Sequence, residues 1–207
     1  MRLTISLLPL IARHRFAATA AGLYGLLVLG CNPSAQAAQF SIGELMAALA
    51  AGTYGVAAFT EKKYISILDL PVDSSGELVF SPPGRLEKRT LTPRVETLVL
   101  DGDTLTIVRE AHKHVMQLKD YPEVAGMILG IRATLAGDRK ALESAYRLDL
   151  EGTRDRWSLV LTPLDPRVAF VIARIRMEGT QDEVRTVEIL LADGDRSVMN
   201  IRKSTWR

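Results

Sequence analysis

The residues of this chain best equipped for chemistry are His112 and His114, the serines Ser74 and Ser75, and the carboxylate pairs Asp101/Asp103 and Asp193/Asp195. Positions i and i+2 of a strand share a face, so the two imidazoles could approach one metal ion. A zinc site needs three or four protein ligands, however, and no third is identifiable; with Lys113 between the histidines, an exposed strand end fits better. Neither a G-x-S-x-G elbow nor a Ser-His-Asp order accompanies Ser74-Ser75. The four aspartates sit in Asp-Gly-Asp turns, where local hydrogen bonding accounts for them. No catalytic residue, metal ligand or cofactor is assigned, and the chain reads as non-enzymatic.

The elements around these residues are mostly strands. Residues 59–118 alternate short apolar and polar runs, cut by turn signals at 71–75, Pro82-Pro83-Gly84, Thr92-Pro93 and Asp101-Gly102-Asp103. Side chains alternate faces along a strand, and Gly, Pro and Asp supply the turns, so the segment reads as an antiparallel meander. Strands are expected at 56–70, 76–81, 85–91, 95–100, 104–110 and 114–118, and again at 146–151, 156–162, 168–178, 183–191 and 196–202. Two helical blocks interrupt them. Ser41-Ile42-Gly43-Glu44 is a capping box opening a helix that Gly52 can close. Asp120-Tyr121-Pro122-Glu123 starts a second helix through Ala136, ended by Gly137, with a further turn or two at 138–144.

The N-terminus reads as an export signal. Arg2, Arg13 and Arg15 precede an apolar stretch at 16–30, and Ser34-Ala35-Gln36-Ala37 supplies small residues for a cut after Ala37. As a transmembrane helix the stretch is short of the about 20 residues a bilayer core needs. Val28-Leu29-Gly30-Cys31 approximates a lipobox, with Leu29 a poor fit in the small-residue slot, so a lipoprotein anchored at Cys31 is the less favoured alternative. The expected organisation is a signal peptide at 1–37 and one domain at 38–207, located in the periplasm. Removing the leader takes away three arginines and the only cysteine, leaving 23 basic against 24 acidic residues. A mature protein so balanced has no cationic footprint for nucleic acid, and without cysteine it has neither a disulfide nor a thiol nucleophile.

The second helix is unusual. Val124, Met127, Ile128, Ile131 and Leu135 recur on one side, while Ala125, Gly126, Leu129, Gly130 and Ala133 keep the other side small or apolar, so the helix calls for burial nearly all round. It reads either as a core helix on the sheet or as a lid over a lipid-sized cavity, and one helix can be both.

In its order of motifs the chain resembles the LolA/LolB-like periplasmic lipoprotein carrier superfamily. The motifs are an N-terminal helix, Phe59-Thr60-Glu61, Ser75-Gly76-Glu77-Leu78 leading to Pro83, a loop at Pro93, the hairpin Leu98-Val99-Leu100-Asp101-Gly102-Asp103-Thr104-Leu105, then Trp157-Ser158-Leu159-Val160-Leu161-Thr162-Pro163 and the hairpin at Asp193-Gly194. The resemblance covers essentially the whole of 38–207. It implies a mainly β, α+β fold: a half-open antiparallel β-barrel of about eleven strands, with helices as lid or plug and an interior that holds acyl chains. The family's basic residue before the proline is missing here, since Ser81-Pro82 fills its place, and Glu87-Lys88 stand where an aromatic is expected. Arg85, Lys88 or Arg89 could stand in for that cation, although three basic residues near a sheet edge are by default solvated.

The cavity wall is expected to comprise Leu68, Leu78, Phe80, Leu98, Leu100, Ile107 and Met116 from the sheet, with Met127, Ile128 and Ile131 from the lid helix. Burying ten methylenes at about 0.8 kcal/mol each offers roughly 8 kcal/mol before the costs of opening and ordering. The expected ligand is an acylated lipid or lipoprotein, and the resemblance admits an inner-membrane lipid exporter and an outer-membrane acceptor as partners of a monomeric carrier. The alternative is a non-catalytic protein-interaction module that works through a sheet edge and encloses only core. If export proceeds as read, mass spectrometry of protein released by osmotic shock will find an unmodified N-terminus at Ala38; an acylated Cys31 would show an anchored protein instead.

Overall fold

Ser41 and Glu44 close the capping box: the Ser41 hydroxyl accepts from the Glu44 N–H at 3.2 Å, and the Glu44 carboxylate accepts from the Ser41 N–H at 2.8 Å. This cap opens the first helix of the computed structural model, which describes residues 40–52, 55–81 and 84–203. The export signal, Cys31, the cut after Ala37 and the Pro82-Pro83 turn lie outside the described residues. In chain order the elements are α1 (Ile42–Ala51), β1 (Val56–Tyr64), β2 (Val72–Ser81), β3 (Arg85–Thr92), β4 (Glu96–Asp101), β5 (Thr104–Arg109), β6 (His112–Gln117), a 3-10 turn at Leu118–Asp120, α2 (Pro122–Ala136), α3 (Arg139–Ala145), β7 (Tyr146–Thr153), β8 (Arg156–Pro163), α4 (Pro166–Ala169), β9 (Ile172–Thr180), β10 (Glu183–Leu191) and β11 (Arg196–Lys203).

All eleven strands form one antiparallel sheet that does not close, in the order β6-β5-β4-β3-β2-β1-β11-β10-β9-β8-β7. Every neighbouring pair is consecutive in the chain except β1 and β11, where Phe59 faces Ile201 and Glu61 faces Met199. The register fixes which side chains share the inner face. From β1 outward these are Ala57, Phe59 and Glu61, then Leu78 and Phe80, Leu86 and Lys88, Leu98 and Leu100, Leu105 and Ile107, and finally Met116. On the other side of the seam they are Met199 and Ile201, Val187 and Ile189, Ile175 and Met177, and Leu159 and Leu161.

Two cores sit on this face. The larger packs α1 (Leu45, Met46, Leu49), Leu142 of α3, Val168 of α4 and Ala133 of α2 against Tyr146, Trp157, Leu159, Leu161, Ile172, Ile175 and Met177 of β7 to β9. The smaller joins Leu100, Leu105, Leu118 and Ile128 near the opposite edge, with Ile107, Met116, Val124 and Ala125 against them. α2 serves both. Its glycines face the larger core: a Cβ on Gly126 would lie 2.6 Å from Val168 Cγ2, and one on Gly130 3.1 Å from the Tyr146 hydroxyl. Tyr146 donates its hydroxyl hydrogen to the Gly126 carbonyl at 2.6 Å, and burial pushes its pKa up to about 12, so the phenol remains a donor at any physiological pH.

The strand count and both long helices agree with the sequence reading, while several boundaries differ for local reasons. β1 ends at Tyr64, and residues 65–70, expected to continue the strand, form a loop with Pro71 instead. β2 begins at Val72, because Asp73, Ser74 and Ser75, expected as turn residues, find cross-strand partners: Asp73 pairs with Lys62 at 2.7 Å, Ser74 donates to Glu61 at 3.2 Å and Ser75 shares a hydrogen bond with Thr92 at 2.6 Å. The expected strand at 168–178 starts only at Ile172. Asp165 accepts from the Arg167 N–H at 2.8 Å, and with Pro166 in the first turn it nucleates α4 instead. Glu110 takes a positive φ of 53° in the β5–β6 turn, so β6 starts at His112, two residues early.

Gly179 is one of the strand positions that tolerate no side chain, as are Gly76 and Gly152. A Cβ on Gly179 would meet Glu183 O at 2.1 Å and Trp157 Cζ2 at 2.3 Å. Gly179→Ala is therefore expected to cost about 2 kcal/mol in urea unfolding through overpacking. Gly55→Ala, where nothing lies within 4 Å of the added carbon, should move stability by less than about 0.5 kcal/mol.

Candidate functional site

Between the two cores the inner face of the sheet is only partly covered, and the gap is a cavity of about 620 Å³. Its roof is the second stripe of α2: Val124, Met127, Ile128, Ile131 and Leu135. Its floor and walls are Leu78 and Phe80 of β2, Leu86 of β3, Leu98 and Leu100 of β4, Leu105 of β5, Met177 of β9, Val187 and Ile189 of β10, and Met199 and Ile201 of β11. The size falls within the about 300–1,000 Å³ of small-molecule sites, and most of the lining surface is apolar, with charged side chains, Glu61, Lys63, Lys88, Glu183 and Arg185 among them, bordering it as well. Every residue of α2 is buried or half-buried, as its all-round apolar pattern requires. The helix is thus core on its glycine side and roof on its methionine and isoleucine side.

Of the ten wall residues expected from the sequence, Leu78, Phe80, Leu98, Leu100, Met127, Ile128 and Ile131 border this cavity. Ile107 and Met116 do not. They share the inner face, but nearer the β6 edge, where they pack on the smaller core. Leu68 lies on no strand; it stands half-exposed in the 65–71 loop beside the more exposed Ile67 and Leu70. His112 and His114 are exposed on the edge strand β6. Among the described residues no three His, Cys, Asp or Glu side chains converge as a metal site would require.

The sequence reading missed a polar group in the apolar wall. Glu61 is only 5% exposed. Its carboxylate accepts from Lys88 Nζ at 2.5 Å, from Ser197 Oγ at 2.6 Å and from Ser74 Oγ at 3.2 Å, and Lys63 Nζ stands 4.0 Å away. Lys88 reaches from β3 past β2 to β1, where Gly76 and Ser74 are too small to block it, and its ammonium lies 4.8 Å from the centre of the Phe59 ring. Of the three basic residues expected to be solvated, Arg85 and Arg89 are: they point outward, pairing with Asp101 and Glu87 at 3.2 and 2.6 Å. Lys88 points inward. Strand parity is the signal that would have found it, since Leu86 and Lys88 share one face and Phe59 and Glu61 share another that the sheet makes continuous with it.

Burial pushes the Glu61 carboxyl up, but hydrogen bonds from Lys88 and Ser197 and the charges of Lys88 and Lys63 outweigh it, holding the group below its ordinary value of 4.5. A depressed folded-state value stabilises the fold above the unfolded-state value, and that contribution is lost as pH falls through the folded one. Glu61→Gln should therefore cost about 2 kcal/mol at neutral pH, from the loss of a charge-assisted hydrogen bond. In urea titrations at a series of pH values, the gap between variant and parent should close as pH drops below 4.5.

Residues 34–201 match the family described as "Outer membrane lipoprotein carrier protein LolA-like". No curated protein matches the chain. Among solved structures the chain is similar to a LolA superfamily protein from Nitrosomonas europaea, at 11% identity and a TM-score of 0.41 over 80% of this chain and 93% of that one. It is also similar to LprF from Mycobacterium bovis, at 8% and 0.34 over 81% and 94%, and to a chain of the Pseudomonas aeruginosa MucA/MucB complex, at 14% and 0.41 over 77% and 53%, so it spans about half the length of the latter.

Proposed function

Since the chain belongs to the LolA-like family of outer-membrane lipoprotein carriers, we propose that it is a periplasmic carrier that takes up the acyl chains of a lipoprotein or other amphiphilic lipid and moves them from the inner membrane towards the outer. The aliphatic cavity between α2 and the sheet is the observation that carries this reading. Chemistry on the ligand is not part of it: the cavity offers burial, and burial returns about 0.8 kcal/mol for each methylene taken from water. An inner-membrane exporter supplies the energy of extraction in this scheme, and an outer-membrane acceptor receives the chain.

A second reading, a non-catalytic protein-interaction module, draws on the exposed Ile67, Leu70 and Phe170 at hairpin ends. Ser66 at that end hydrogen-bonds Asp195, and Val171 hydrogen-bonds Ala192, which brings the two apolar loops to either side of the β10–β11 turn. Native mass spectrometry of protein purified from the periplasm separates the two. Bound lipid supports the carrier; an empty cavity together with a co-purifying protein supports the module.

In this scheme α2 moves to load the cavity, and α4 is where it can be held. The carbon added at Gly126 would lie 3.3 Å from Val168 Cβ, close to the separation of about 3.8 Å that a disulfide spans. In a Cys31→Ser background, a Gly126→Cys/Val168→Cys crosslink should block uptake of a fluorescent fatty acid, and reductant should restore it. A fully formed crosslink that leaves uptake unchanged would show that α2 is not the gate.

A further inference from the structure

The ion pair in the cavity wall is expensive where it stands. Replacing a buried pair by packed apolar side chains is often neutral or stabilising, so its presence in an aliphatic cavity is not explained by stability. The bonding is also unequal. Glu61 accepts three hydrogen bonds, from Lys88, Ser197 and Ser74, and has a second cation, Lys63, nearby, whereas Lys88 gives one of its three N–H donors to Glu61. Among the described residues Lys88 has no second acceptor, and its side chain keeps 22% of its surface open. Lys63, Lys88 and Glu61 together carry one net positive charge, and Lys63 and Lys88 both border the cavity.

We propose that Lys88, assisted by Lys63, is the anchor for the anionic oxygen head of the bound amphiphile, a carboxylate or a phosphate, with its chain running under Met127 and Ile131 of α2. The arrangement matches charge with charge: one monoanion neutralises the cluster, and the spare N–H groups of Lys88 are the donors it needs. Glu61 positions Lys88 against Phe59 and does not itself touch the ligand. A purely aliphatic cavity would hold chains without regard to the head; this one discriminates.

The inference rests on the carrier reading, and its test keeps the two apart. Palmitate, hexadecyl phosphate and hexadecanol, matched in chain length, are titrated calorimetrically into the protein. The anionic heads are expected to bind about tenfold tighter than the alcohol, the worth of one charge-assisted hydrogen bond, and whichever of the two binds tighter identifies the head. Lys88→Met should bring the three affinities together while hexadecanol still binds, and Lys88→Arg should keep the preference. Because Lys88→Met strands the Glu61 carboxylate, the neutral pair Glu61→Gln/Lys88→Gln is measured alongside and should show the same levelling. Equal affinities in the unaltered protein, or a preference for the anions that survives in both Lys88→Met and the neutral pair, would overturn the anchor while leaving the carrier standing. No binding of any of the three probes would overturn both.

Discussion

Strands β6 and β7 follow one another in the chain yet lie at opposite edges of the sheet, and this constraint organises the rest of the molecule. The residues between them, 118–145, must travel from one edge to the other across the inner face. They do so as α2 and α3, with the short turn at Leu118–Asp120 holding the start to the β4–β5 hairpin through the Leu118 N–H and the Asp103 carbonyl. A helix so placed is flanked by sheet and by other helices, which explains why no residue of α2 is fully exposed. The existence of a covered space thus follows from connectivity, before any side chain is considered.

Side chains decide whether the space is filled. Gly126 and Gly130 let α2 approach α4, β7 and β9 more closely than any larger residue would allow, and Tyr146 fastens it there. Drawing the helix towards the β7 side leaves the strands around the β1–β11 seam without a close partner. The cavity is the remainder of that choice. Its aliphatic lining loses packing contacts that a filled core would supply, and the larger core, with Trp157, Leu159, Leu161 and Ile175 almost fully buried, lies beside it.

Features set by local rules were legible in the sequence: the capping box at Ser41, the proline entry and glycine exit of α2, and the Asp-Gly hairpins at Gly102 and Gly194, where φ is positive as such turns require. Strand alternation also placed Leu78, Phe80, Leu98 and Leu100 on one face. Alternation gives the face but not how far a covering helix reaches, and so Ile107 and Met116 could not be told from cavity residues. The loop at 65–71 was hidden because Ile65, Ile67, Leu68 and Leu70 imitate a strand with no partner to pair with. Lys88 was hidden by composition: a lysine between Glu87 and Arg89 reads as solvated surface until the register sets it opposite Leu78 and Leu98.

The β1–β11 seam joins two meanders whose other pairings are all between neighbours in the chain. Residues 57–64 wait for residues 196–203, which follow every other strand of the sheet in the chain. Such distant pairings are the slow part of folding, since loop closure is paid before the contact is made. Either meander can form early as a curved ribbon, but the middle of the sheet, and with it the floor that holds Glu61 beside Ser197, comes into being only when β11 docks on β1. A chain truncated before β11 would keep most of its hairpins and lose the interior they surround, exposing the facing edges of β1 and β10 to other chains.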